Sequence, residues 1–309
     1  MPTSKTLLLI LLALLAGCGP RASTGPKKVA VIVSTLNNPW FVVLAETAAA
    51  RAKALGYEAK IFDSQNSTAQ EADHFENALV SGFDAILLNP TDSDGSIVNV
   101  QKAKAAGVPV FCMDREVNSS RVATSQILSD NYSGCVALGK EFVQDLHQKG
   151  DYVEILGIVG DNNTWNRSKG FHSVVDHYPG LKMVAQQSAD FDRNKALEVL
   201  ESVLQAHPNI NAVFCGNDAM AMGAYQALVA AGKAKEVGVY GFDGADDALA
   251  AIGDGKIRAT GLQSPQTMAQ TAANYADAYF KGERSFAQRV PVAVELVDGA
   301  NIKDYRSKN

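Results

Sequence analysis

Short β-branched runs alternate with longer, Ala-rich amphipathic stretches along almost the whole chain, and no other feature constrains the fold as tightly. Strand-like runs fall at 29–34, 58–63, 84–88, 108–113, 152–157, 182–187, 211–215, 236–241 and 257–261. Between them lie helical patterns at 40–55, 68–81, 95–106, 132–148, 192–206, 217–231 and 265–281. Strands in such a series pair in parallel through right-handed crossovers. Helices must then cover both faces, which is doubly wound α/β architecture. A single eight-stranded β/α barrel is the rival. The runs exceed eight, however, and a break near 125–131 separates two similar halves, so two parallel-sheet lobes are expected. The length, about 285 residues beyond the N-terminal segment, allows this without requiring it.

That N-terminal segment reads as an address. Lys5 precedes an apolar run from Leu7 to Leu15 that ends in Ala16 and Gly17 before Cys18. A charged start, a short apolar stretch and a small-residue site define an export signal, and the run falls short of the ~20 apolar residues a spanning helix needs. Leu15-Ala16-Gly17-Cys18 also resembles the bacterial lipobox. The resemblance implies a lipoprotein signal peptide over 1–17, acylation of Cys18, and a lipid-anchored tether over 18–27. More than one acyl chain would make that anchor stable. An exported, periplasmic or cell-envelope protein is expected.

Charge and cysteine content narrow the function classes. The net charge of −5, with both signs interspersed and no basic block, lacks the electrostatic footprint of a nucleic-acid binder. Cys112, Cys135 and Cys215 remain after Cys18, an odd number that cannot pair completely. Cys112 and Cys215 lie in strand-like runs and read as small buried hydrophobes. No zinc spacing is present, and no metal or cofactor is expected.

Ligands of open α/β sheets bind beyond the carboxyl ends of the strands, and here those ends carry polar or aromatic groups in series. The first run is followed by Ser34, Asn38, Trp40 and Phe41, the third by Asn89, and the fourth by Asp114 and Arg115. In the second half come Arg167, Phe191, Asn217, Asp243 and Gln263. Taken singly, Asn89, Asn217 or Asp243 could be a helix cap, Trp40 and Phe41 could be core, and Arg167 could be a solvated charge. Recurrence at nearly every strand end, from both halves, points to a shared cleft. Carboxylates, guanidiniums and amides satisfy hydroxyls that both donate and accept, while aromatic rings cover apolar C–H faces. Two aspartates (Asp114, Asp243) against two arginines (Arg115, Arg167) leave such a cleft near neutral. A neutral cleft suits an uncharged polyhydroxylated solute better than a phosphorylated one.

The segments VSTLNNPWF, DSQN, NPTDSD, DR, SDN, ADFDR, ND and GFDG, taken in order from Lys28 to Val292, closely resemble the ribose-type periplasmic sugar-binding family, the type I solute-binding proteins of ABC sugar importers. The resemblance implies ligand contacts at Ser34, Asn38, Trp40, Phe41, Asn89, Asp114, Arg115, Arg167, Phe191, Asn217, Asp243 and Gln263. It implies two lobes, 28–128 plus 264–291 and 129–263 plus 292–309, joined by a three-segment hinge near Ser129, Ser264 and Val292. Implied partners are an ABC permease with its cytoplasmic ATPase and, alternatively, a chemoreceptor or sensor kinase, with the chain itself a monomer. One departure stands out. Trp40 precedes Phe41 where ribose binders resemble one another in two adjacent phenylalanines. A larger ring narrows or tilts the site, so other pentoses, pentitols, tetritols or a quorum-sensing furanose compete with ribose. Trp165 is expected at the rim or surface.

Other classes lack their signatures. There is no G-x-x-x-x-G-K-[ST], G-x-G-x-x-G or G-x-S-x-G run. His74, His147, His172, His177 and His207 show no ligand spacing, and His172 and His177 read as solvated helix residues. A sugar-responsive repressor would carry a helix-turn-helix where the export signal lies. The expectation is therefore a receptor that catalyses nothing and closes about its solute.

Overall fold

The computed structural model describes residues 25–306, so the expected signal segment and Cys18 lie outside the described residues. Two open six-stranded sheets organise the chain. In the first, β1 (Lys28–Val33), β2 (Glu58–Asp63), β3 (Ala85–Leu88), β4 (Val110–Met113), β5 (Ser125–Ser129) and β11 (Arg289–Val292) lie in the order β11-β5-β4-β3-β1-β2, all parallel. The second holds β6 (Gly150–Leu156), β7 (Leu181–Ser188), β8 (Ala212–Cys215), β9 (Gly238–Asp243), β10 (Ala259–Leu262) and β12 (Glu295–Asp298) in the order β12-β10-β9-β8-β6-β7. Only β12 runs antiparallel to its neighbour. Two separate open sheets exclude the barrel and give the expected doubly wound lobes.

Each sheet is buried on both faces. On β1, Val29, Val31 and Val33 pack against α1 (Pro39–Ala54) and α9 (Pro265–Phe280), while Ala30 and Ile32 meet α2 (Thr68–Val80) and α3 (Ile97–Ala105). The second sheet is sandwiched likewise. One face carries α6 (Arg193–Ala206), α7 (Asp218–Ala230) and α8 (Asp246–Gly253), and the other carries α4 (Asn131–Asp145) and α5 (Asn162–Val175). Strands covered on both sides read as continuous apolar runs. This is why AILL, VFCM and AVFC are wholly buried. Cys112, Cys135 and Cys215 are free and buried, and burial pushes their thiols up, away from reactivity.

The chain passes between sheets three times: from Ser129 into α4, from Leu262 into α9, and from Val292 to Glu295. The expected break at 125–131 does part the two halves, but most of it is strand, because β5 is buried within the first sheet and the chain crosses over directly after it. Its polar letters concealed it. Ser125 Oγ donates to Ala287 O at 2.7 Å, and Gln126 Oε1 accepts from Val117 N at 2.8 Å, so both are buried without penalty. The edge strands β11 and β12 add two more that no apolar run announced. His172 also departs from expectation. It is held between Glu154 (3.1 Å) and Asp176 (2.7 Å), and the bond to Glu154 is the main reason its pKa rises to about 9 despite opposing burial.

Candidate functional site

The carboxyl ends of both sheets face each other across one small cavity. On the first lobe, Asn38 caps α1 by accepting from Trp40 N at 3.0 Å. Pro39 fixes the first helical position, where its missing N–H costs nothing. The cap therefore delivers Trp40 and Phe41 on the opening turn, edge-to-face at 5.4 Å and 87°, with only 8% and 7% of their surfaces exposed.

Behind the rings, Asn89 ties three strand ends together. Its Oδ1 accepts from Ser34 Oγ at 2.6 Å, and its Nδ2 donates to Asp114 Oδ2 at 3.0 Å and to Met113 O at 3.2 Å. Ser34 and Asn89 thus lie behind the wall, orienting Asp114, and are not among the cavity-lining residues. Asp114 itself sits at φ 64°, a left-handed conformation held by these bonds. Burial raises its pKa to about 6. Arg115 and Arg167 oppose that rise, and Asp161 adds to it. Arg115 lies 5.0 Å from the Phe41 ring centroid and reaches across to the second lobe, where its Nε meets Asp161 Oδ2 at 2.6 Å.

The second lobe presents α5 end-on. Asp161 caps it, accepting from Asn163 N at 2.9 Å, and Asn163 Nδ2 reaches back to Asp114 O at 3.3 Å. Arg167, on the second turn, donates from Nε to Asn131 Oδ1 and from Nη1 to Gly216 O, both at 2.7 Å. Its guanidinium lies 4.0 Å above the Phe242 ring and 3.5 Å from Asp243 Oδ1. Asp243, at φ 131°, also accepts from Gln263 Nε2 at 2.8 Å. Burial drives its pKa upward against the pull of Arg167, helped by Asp218 and Asp114. Asn217 caps α7 through Met220 N at 2.9 Å and faces the cavity. Phe191, at φ 60°, lies so close to Gly157 that a Cβ there would meet the ring at 2.0 Å. Any side chain at Gly157 would have to displace the Phe191 ring.

Ten of the twelve expected residues therefore line one cavity, and Ser34 and Asn89 support it from behind. Asp161 and Asn163, neither of which directly follows a strand, join them unannounced. The count of charges changes accordingly, to three carboxylates against two guanidiniums, with the raised Asp114 and Asp243 drawing the site back toward neutrality. Two buried atoms in the wall, the donor Trp40 Nε1 and the acceptor Gln263 Oε1, have no partner among the described residues. Buried polar atoms are nearly always paired, so each is left with hydrogen-bonding capacity that its neighbours do not use. Trp165 is 38% exposed and donates to Val159 O at 2.9 Å, away from the cavity. Among the described residues, no cluster of His, Cys, Asp or Glu could hold a metal.

The periplasmic binding protein domain model matches residues 29–284. The chain is 43% identical over 274 residues to the D-apiose import binding protein of Paraburkholderia graminis, with 88% of each chain covered. It is 40% identical to the ribose import binding protein of Escherichia coli, covering 87% of this chain and 90% of that one. Among solved structures, a solute-binding protein from Bacillus halodurans with bound myo-inositol superposes with TM-score 0.88 at 27% identity, covering 93% and 100% of the two chains.

Proposed function

We propose, from the premise that the chain belongs to the periplasmic binding protein domain family, that its cleft takes a small uncharged sugar or polyol of about pentose size. The chain is a sugar-binding receptor of an ABC importer. The observation that carries the finer reading is the convergence of buried polar side chains from both sheets on one small cavity. The cavity is small and closely walled by side chains of both lobes, which favours pentoses, pentitols and tetritols over larger guests. Trp40 supports a specificity distinct from a phenylalanine pair. Its ring covers a C–H face as phenyl would, and its unpaired Nε1 offers a ring oxygen or hydroxyl a donor that phenyl lacks.

The mechanism is hinge closure about the three crossovers. Ligand held on one wall recruits the other, because charges such as Arg115 and Asp161 are paired only when the walls meet. The ligand leaves unaltered toward a permease driven by a separate ATPase, and the receptor is held at the envelope by lipid on Cys18. A thermal-shift screen over D-ribose, D-apiose, L-arabinose, ribitol, erythritol and myo-inositol tests the ligand class. A shift with one of the five- or four-carbon solutes, recovered intact by mass spectrometry, is expected. Stabilisation by myo-inositol alone, or only by ribose 5-phosphate added to the same panel, refutes it. Cys18→Ala should release the protein from membranes, and persistent attachment contradicts the anchor.

A further inference from the structure

We propose that a polar latch between the lobes, outside the ligand cavity, sets how readily the cleft stays shut and thereby fixes apparent affinity. The inference rests on the hinge-closure reading above. Segment 158–162 of the second lobe meets two loops of the first. Ser93 N donates to Gly160 O at 3.0 Å, and Asn162 N donates to Ser93 Oγ at 3.3 Å. Asn162 Nδ2 spends both its protons across the gap, on Glu116 Oε1 at 2.9 Å and on Asn118 Oδ1 at 2.5 Å. An amide turned the other way would set its oxygen against a carboxylate, so the chemistry fixes its orientation. The acceptors are themselves held. Glu116 is buried, and its Oε2 meets Arg289 Nη2 at 2.5 Å on β11, three residues before the third crossover ends the strand. Asn118 N donates to Ser93 O at 2.7 Å, locking the two first-lobe loops to each other.

Close approach completes the latch. A Cβ on Gly160 would lie 2.2 Å from Asp92 Oδ2. Asp92 cannot easily swing away, because its Oδ1 accepts from Asp94 N at 3.0 Å and Gly95 N at 2.7 Å. The lobes therefore meet here at a distance only a glycine allows. Ser93, Glu116, Asn118, Gly160 and Asn162 are all absent from the cavity lining. Their bonds form only when the lobes meet, so they raise the closed fraction whatever solute is bound. Apparent Kd varies inversely with that fraction. Losing one charge-assisted bond or forcing a small separation should weaken binding by about tenfold.

The test uses Asn118→Ala, Gly160→Ala and the pair Asp92→Ser with Gly160→Ala, the last shortening the side chain that the new methyl strikes. Titration calorimetry with D-ribose and D-apiose as probes should show Kd raised about threefold in Asn118→Ala and about tenfold in Gly160→Ala, each through faster release. The pair should recover most of the loss. Unchanged affinity in both single variants, or no recovery in the pair, overturns the latch. Should the parent protein bind neither sugar, the ligand reading falls, and small-angle scattering of the ligand-free proteins decides the latch separately. A larger radius of gyration in Gly160→Ala, reversed in the pair, supports it, and identical radii overturn it.

Discussion

The two walls of the cleft use the same chemistry but satisfy it differently. On the second lobe, the Arg167 guanidinium is answered by Asn131, Gly216 O and Asp243, all from its own lobe. Asp243 adds Gln263, and the neighbouring Asp218 accepts from Gly244 N, Ala245 N and Thr260 Oγ1. On the first lobe, Asp114 has Asn89 behind it, but its other amide partner, Asn163, crosses the cleft, and Arg115 finds its carboxylate in Asp161 on the far side. The second wall is thus prebuilt, and the first is completed by closure. A solute docking first on the second wall meets groups already oriented, and its binding free energy goes into bringing the first wall over.

Truncating one arginine on each wall separates these roles. Arg167→Ala should give the largest effect, because it strips donors from three buried groups in the ligand-free protein as well. Breaking a buried pair typically costs about 3–5 kcal/mol. A fall in ligand-free melting temperature is expected together with at least about 1,000-fold weaker binding. Arg115→Ala should weaken binding by about 100-fold while leaving the ligand-free melting temperature nearly unchanged, since Asp161 is hydrated once the lobes part. Equal loss of ligand-free stability in the two variants would erase the distinction between a prebuilt wall and a completed one. Differential scanning calorimetry with and without D-ribose or D-apiose reads both quantities.

The same contrast explains what the sequence disclosed. Alternating apolar runs revealed most strands, because a strand buried on both faces has little choice of residue, as in Ala85–Leu88 and Ala212–Cys215. The strand Ser125–Ser129 escaped notice because Ser125 and Gln126 are buried by specific bonds to Ala287 and Val117, which pattern alone does not reveal. In the site, residues directly following strands were legible by position. Asp161 and Asn163 were not, since their roles depend on which way α5 points its first turn, and that is set by packing against the α4 helix. Close approach there is visible at Gly170, where a Cβ would lie 2.4 Å from Tyr132 O. Ser34 and Asn89 were expected as contacts, and sequence position could not show that Ser34 bonds to Asn89 and Asn89 in turn to Asp114.

The smallest effect expected concerns protons, and it probes the first wall alone. Asp114 is raised to about 6, chiefly by burial, from an ordinary carboxylate value near 4. Between these values the closed, folded protein holds a proton there that the unfolded chain has released. By linkage, this group's contribution to stability rises as pH falls through about 6. Ligand hydroxyls that donate to Asp114 prefer the carboxylate, so binding expels the proton and affinity should fall over the same interval, by several-fold at about pH 5. Stability and affinity thus move in opposite directions with pH, a signature that general acid destabilisation does not produce. Asp114→Asn provides the reference, because asparagine tolerates the left-handed φ and keeps an acceptor oxygen without a titrating proton. Subtracting its pH profiles from those of the unsubstituted protein should isolate both trends. If the difference in affinity is flat from about pH 5 to 7.5, Asp114 does not accept from the ligand, and the first wall contributes its rings and Arg115 alone.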